Sequence, residues 1–292
     1  MSAPLILEIL QNHPSYQQWL NALRRKEQVP PQGVPIAVRL PLLASLAQDW
    51  DGPVLWVTDR GNHALSQREE ARLWLGKETY LFAEPTPLFY EVAAWGAGTR
   101  RERLQALTML ARYHLPSVEK PGSPLVLFTS VRALMTRTMP RREFLKACKR
   151  LSPGNRLSIP SLLHWAFQAG YAPTNVVVEA GHFAHRGGIV DIWPPAMESP
   201  LRLDFFGDEI ESIRTFDPTT QRTIGQQALA LLTPAREYLL SENATPEAFH
   251  EFHARSERAR KWLERLPSRP ATVAQDPLVR DFNALREQLV AE

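Results

Sequence analysis

Residues 181–223, GHFAHRGGIVDIWPPAMESPLRLDFFGDEIESIRTFDPTTQRT, constrain the fold more than any other stretch. Phe183 to Trp193 is rich in Ile, Val and aromatics and stops at Pro194-Pro195, where ladder pairing must end. Leu201 to Phe216 is a second β run, interrupted by Gly207-Asp208. A Gly-X pair between alternating runs predicts a two-residue hairpin turn, with glycine supplying the positive φ of its first position. Phe206 then stands opposite Glu209, Asp204 opposite Glu211, and Arg202 opposite Ile213. By the two-residue period, Arg202, Asp204, Phe206, Glu209 and Glu211 share one face, and Leu201, Leu203, Phe205 and Ile210 the other. The second is a core face. The first is charged around one large aromatic, a composition shared by solvated surfaces and by interface hot spots.

Before this stretch the chain alternates helices and short apolar strands. Residues 3–28 read as helical, with Arg24-Arg25-Lys26 as cations at the C-terminal end. An apolar helix follows from Pro41 to Gln48. Pro53–Thr58, Thr79–Phe82 and Leu125–Thr129 read as strands. Between them lie helices over Asp59–Leu75, with Leu65, Ala71 and Leu75 as an apolar stripe, and over Arg100–Tyr113, with Leu104, Leu107, Leu110 and Ala111 inward and Arg100, Arg101 and Arg103 solvated. Three apolar strands separated by helices predict a parallel sheet flanked by helices.

Leu151–Asn155 is a turn cluster and a domain boundary. Ser158–Gly170 reads as a helix, capped by Ser158 or Ser161, with Leu162, Leu163, Trp165, Ala166 and Phe167 along it. Asn175–Glu179 reads as a strand, so a small α+β domain on an antiparallel sheet results. Further helices are predicted from Thr245 to Leu266 and from Asp276 to the last residue, and a sequence ending inside a helix reads as cut from a longer protein.

The chemistry-bearing residues are sparse. A phosphate loop needs spaced glycines followed by Lys and Ser or Thr. No Gly-Lys-Ser/Thr occurs, and Val38-Arg39-Leu40 occupies the place before the first strand, so no nucleotide or other cofactor is expected. His182 and His185 fall on opposite faces of a strand, and His250 and His253 lack a third ligand. Asp204, Asp208, Glu209 and Glu211 lie on an open hairpin rather than in a cleft. Cys148, the single cysteine of 292 residues, excludes an internal disulfide and a thiolate cluster. It stands among Lys146, Lys149 and Arg150, cations of the kind that lower a thiol pKa, although an ordinary helix residue is the default. The formal charge of +3 predicts little DNA binding. No membrane-length apolar window or basic leader is seen, so a cytoplasmic, soluble protein is expected.

His182–Pro194, Arg202–Arg214, Phe216-Asp217-Pro218 and Gln221-Arg222 together resemble the UvrA-interaction domain of bacterial transcription-repair coupling factors, and UvrB has a similar domain. Weaker likenesses arrive in that family's order: Val54–Asp59, Tyr80–Phe82 with Tyr90-Glu91, Arg103-Leu104 with Leu107, and Thr129–Leu134. The segment Glu91–Arg100 is short and has Trp95 as its one aromatic, a departure from the DNA-clamping hairpin of UvrB. The resemblance implies a degenerate nucleotide-binding-like α/β domain over 1–151, a UvrA-interaction domain over 152–232, and a return segment over 233–292 that opens with the strand Leu231–Tyr238 beside the first sheet. It also implies a non-catalytic module that recruits UvrA, with contacts at Arg186, Arg202, Phe206 and Glu209. Alanine at Arg186, Arg202 or Phe206 should then weaken binding and leave the fold intact. For the longer parent it implies RNA polymerase, DNA and its own C-terminal region as partners. The other reading is a UvrB-like, DNA-binding or ATP-dependent strand-separating protein.

Overall fold

Pro14 divides the helix expected over residues 3–28. The computed structural model describes residues 3–29, 33–85, 96–115, 118 and 125–237. Residues 240–292 divide from 1–239 as a separate unit and lie outside the described residues, with the helices predicted there and His250 and His253; so does segment 86–95. Two helices replace the expected one, α1 (Ala3–Gln11) and α2 (Pro14–Arg24). Proline has no N–H to continue a helix but suits a first turn. His13 caps the second helix, its Nδ1 accepting from the Ser15 amide at 3.2 Å.

Helix α3 (Ile36–Asp49) begins five residues before the expected Pro41 and carries that proline inside it. β1 (Val54–Thr58), α4 (Gly61–Leu75), β2 (Tyr80–Phe82), α5 (Ala97–Arg112), β3 (Val126–Ser130) and α6 (Val131–Met135) follow. The three strands form the expected parallel sheet, in the order β1-β3-β2. All of β3 is buried, which is why its run VLFTS shows no polar alternation. Val126 and Phe128 pack with Leu40 and Leu43 of α3 and Ala64 and Ala71 of α4. Leu127, pointing the other way, packs with Phe82 and Ala106 of α5. From α4, Ala64 and Ala71 are fully buried in this contact and Trp74 and Leu75 pack beside them; Leu65, expected on that stripe, is exposed.

Then come α7 (Arg141–Ala147), β4 (Lys149–Leu151), α8 (Ile159–Gln168), β5 (Ala172–Pro173), β6 (His182–Arg186), β7 (Ile189–Ile192), β8 (Leu201–Phe206), β9 (Glu209–Phe216), β10 (Thr223–Gln226) and β11 (Ala230–Leu232). Strands β5 to β10 make a six-stranded sheet in reverse sequence order, antiparallel except for the short β5–β6 pair. The expected single strand Phe183–Trp193 is a hairpin: Gly187-Gly188 turns the chain, and Arg186 pairs with Ile189. Gly188 is needed there because an added Cβ would lie 2.9 Å from the Phe205 carbonyl oxygen. The expected strand Asn175–Glu179 does not form. Instead Val177 lies buried over Ala184, Trp193 and Phe216, covering one end of the sheet's outer face.

On the inner face, Val190, Ile192, Leu201, Leu203, Ile210 and Ile213 pack against Leu162 and Ala166 of α8. Ser158 caps that helix by accepting from the Ser161 amide. Phe167, expected along the packed helix, is exposed. Strand β11 pairs with β4, where the chain enters this region, and not with the first sheet as expected for the return strand.

Just beyond β11, Glu237 meets Arg103 of α5, a residue expected on the solvated side. Arg103 is fully buried. Its Nε and Nη2 donate to the two Glu237 carboxylate oxygens at 2.6 and 3.0 Å, and its Nη1 to the Ala83 carbonyl at 2.8 Å. Thr138 donates to the same carboxylate at 2.6 Å, and the guanidinium lies 3.8 Å above the Phe82 ring. A buried charge persists only where its bonding capacity is met, and this node meets it.

Candidate protein-interaction surface

The outer face of the six-stranded sheet changes character along its strands. At one end it is apolar and covered by Val177. Toward the two hairpin turns it becomes charged and open; of the four residues singled out in the sequence, Arg186, Phe206 and Glu209 lie on this stretch and Arg202 at the covered end.

The β8–β9 register decides which side chains are there. Phe206 faces Glu209, as expected. The pairing then slips by one residue, so that Asp204 faces Ser212 and Arg202 faces Arg214 rather than Glu211 and Ile213. Glu211 is the extra residue of a β-bulge. Ile210 and Ile213 show why: residues three apart cannot share one face of a regular strand, yet both are buried in the inner core. The bulge turns Ile213 inward and brings Ser212 and Arg214 outward, beside Asp204.

Asp191 of β7 organises the covered end. It is buried, and it accepts from Arg202 Nε at 2.7 Å and Arg202 Nη2 at 2.8 Å. The Arg202 guanidinium also lies 4.4 Å from the Phe216 ring centroid and donates to the Gln221 carbonyl and side-chain oxygens, each at 3.3 Å. Its pKa is raised further, first by the hydrogen bond to Asp191. Gln221 is held at φ 60° by an Asp217 turn, whose carboxylate accepts from the Thr219 and Thr220 amides at 2.9 and 2.7 Å. Those bonds, the Thr220 amide's first, hold the Asp217 carboxyl below its usual range. Arg202 is therefore half of a buried, bidentate pair. Its loss would take away the closest partners of the buried Asp191 carboxylate, so a cost in stability is expected beside any loss of binding.

The remaining three residues are accessible. Phe206, beside Gly207 with its φ of 60°, is 82% exposed. Arg186 is 58% exposed and reaches Asp191 at only 3.5 Å, through one nitrogen. Glu209 is half exposed. Ile189 lies between Arg186 and Asp204 in the same cross-strand row. Asp204 is itself engaged, accepting from Arg214 at 2.7 and 3.0 Å and from Ser212. Sequence reasoning missed Asp191, Ser212 and Arg214. A lone carboxylate inside the apolar run Ile189–Trp193 was the available signal for Asp191.

Elsewhere the expected chemistry is muted. At the carboxyl ends of the parallel strands, where such sheets bind ligands, Ser130 donates to Glu84 at 2.6 Å. The Glu84 carboxyl crowds Gly61, where an added Cβ would lie 2.7 Å from its carbon. Arg39, at the position of the missing phosphate motif, is exposed and donates to the Val34 carbonyl at 3.2 Å. Cys148 ends α7 and its thiol faces the Phe144 carbonyl at 3.2 Å. Burial pushes that thiol up to about 12, so its basic neighbours do not activate it. Among the described residues there is no group of three His, Cys, Asp or Glu side chains arranged for a metal, and no helix long and apolar enough to cross a membrane.

Residues 150–238, which hold this whole surface, match the family model described as the UvrB interaction domain. Most of the chain is similar to a portion, under a fifth, of transcription-repair-coupling factors. That of Myxococcus xanthus is 31% identical over 240 residues, 80% of this chain and 19% of the relative. That of Escherichia coli is 32% identical over 197 residues, 68% and 16% respectively, and that of Bacillus subtilis 26% over 210 residues, 71% and 17%. The chain thus spans less than a fifth of the length of these relatives.

Proposed function

We propose that this chain is the protein-interaction module of a transcription-repair coupling factor, working in the cytoplasm, and that the outer face of its six-stranded sheet recruits UvrA in nucleotide excision repair. The observation that carries this reading is Phe206, a large aromatic 82% exposed beside the Gly207-Asp208 turn, on the same sheet face as the internally paired Asp204 and Arg214. An aromatic beside arginines is the composition of an interface hot spot, and preorganised side chains cost little to order on binding. Arg186, Phe206 and Glu209 are the contacts, and Arg202 acts behind them by fixing Asp191.

In this reading residues 152–232 are a domain inserted into an α/β scaffold formed by 1–151 and 233–292. The β4–β11 pair, where the chain leaves and returns, supports that division. The scaffold has no catalytic task, which the carboxylate of Glu84 at the strand ends supports, since it would repel phosphate. Binding to RNA polymerase and DNA belongs to other parts of the longer protein, whose C-terminal region covers this face until recruitment.

Calorimetric titration with UvrA tests the proposal. Phe206→Ala and Arg186→Ala should each weaken binding by about 1–3 kcal/mol. Wild-type affinity in both variants would remove the surface from the account. ATP turnover by the chain in the presence of DNA would overturn its non-catalytic assignment.

A further inference from the structure

The segment just before α8 adds a short strand to the hairpin end of the sheet. The Gly154 amide donates to the Ile210 carbonyl at 2.8 Å, the Ile210 amide to Asn155 at 3.0 Å, and the Leu157 amide to Asp208 at 2.7 Å. Between these bonds Arg156 pairs antiparallel with Glu209. Residues paired across antiparallel strands project to the same face. Arg156, Glu209 and Phe206 therefore form one row on the outer face, and Arg156 stands two strand spacings, about 10 Å, from Phe206. Arg186 lies on the opposite side of Phe206, on β6.

The four arginines of this face divide into two kinds. Arg202 and Arg214 each hold a carboxylate through two nitrogens, Asp191 and Asp204 respectively. Their forks are spent inside the sheet. The Arg156 side chain is 86% exposed, and its ion contact is a single one, to Glu209 at 3.9 Å. Arg186 likewise has one long contact, to Asp191 at 3.5 Å. A guanidinium carries five donors in a planar fork suited to a carboxylate, so Arg156 and Arg186 keep most of theirs for a partner. Backbone bonds on both sides of Arg156 fix where its side chain starts.

We infer that Arg156 is a partner-contacting residue: with Arg186 it brackets Phe206, and the two forks take carboxylates of an acidic protein surface on either side of the site that receives the ring. This rests on the reading of the outer face as the UvrA-binding surface. Glu209 sits between Arg156 and Phe206 and holds the guanidinium out along the row. A partner lacking an acidic group at either end of the Phe206 site would forfeit one of the two anchors.

Titration of the 292-residue chain with UvrA reads this assignment. Arg156→Glu should weaken binding about tenfold or more, with less loss at high salt and an unchanged melting temperature. Arg156→Lys, which keeps the charge and loses the fork, should fall between that variant and wild type. Arg60→Glu reverses another exposed charge, at the start of α4, and should bind as wild type does. Wild-type affinity for Arg156→Glu beside a loss for Phe206→Ala overturns the role of Arg156 and leaves the surface standing. An equal loss for Arg60→Glu also overturns it, by making the effect one of net charge. Wild-type affinity for both Phe206→Ala and Arg186→Ala removes the surface, and Arg156 with it.

Discussion

In the three-stranded sheet, helices cover both faces of β3; in the six-stranded sheet, α8 covers one face and the other runs from a covered apolar end to open hairpin turns. The difference follows from strand direction. Parallel strands need crossover helices, and those helices fall on the faces of the sheet. Antiparallel strands turn back through two-residue loops such as Gly187-Gly188 and Gly207-Asp208, which leave a face free. The charges follow the same division. In the α/β part Arg103 is buried in a node that ties α5 to the chain beyond β11. On the outer face the pairing is uneven: Arg202 and Arg214 each hold a carboxylate through two nitrogens, whereas Arg186, one row nearer the hairpins, has one long contact. The same residue type thus serves cohesion in one region and recognition in the other, according to how much of its fork is used internally.

Substitutions can break this contrast, starting with the largest effect. Arg103→Ala leaves the Glu237 carboxylate buried and unpaired, and should cost about 3–5 kcal/mol in denaturant unfolding. A cost under about 1 kcal/mol would show that the node is not needed for cohesion. Arg202→Ala should cost about 1–3 kcal/mol, the range for stranding a buried hydrogen-bonding group. The lower end is expected if Arg186 swings onto Asp191. It should also weaken UvrA binding, and unchanged stability with weakened binding would make Arg202 a direct contact. Phe206→Ala should stay within about 0.5 kcal/mol of wild type in stability, as for exposed positions generally; a fall in melting temperature would mean that the ring packs. Cys148 gives the smallest effect. Its pKa rises in the folded state from 9.0 to about 12, so the protonated thiol is favoured there. Its contribution to stability is complete below pH 9 and is lost as the pH rises toward 12. Native protein should therefore alkylate slowly at pH 8, and unfolded protein at the ordinary thiol rate; equal rates would contradict the burial.

Much of this was legible in the chain itself. The apolar run at β3 announced a strand buried on both faces, and Gly207-Asp208 announced a hairpin. The accessible residues Arg186, Phe206 and Glu209 were named from the residue pattern and the family resemblance. Asn175–Glu179 misled because its Val-Val-Val core resembles a strand, while tertiary packing uses it as a cover. Arg103 misled because an arginine on a helix with two others reads as solvated. Its partner, Glu237, is far along the chain, and no local pattern reports a contact of that range.

By itself the sequence determined the alternation of helices and strands in the α/β part and the inner face Leu201, Leu203, Phe205 and Ile210 of the antiparallel sheet, because apolar periodicity and turn glycines act within a few residues. Tertiary structure alone decided the slip at Glu211, the burial of Arg103 and the division of the outer-face arginines into bound and available. Each depends on side chains that meet across strands or across long stretches of chain. Ile210 and Ile213 illustrate the boundary: their spacing is written in the sequence, but only a core needing both on one side makes the strand bulge to accommodate them.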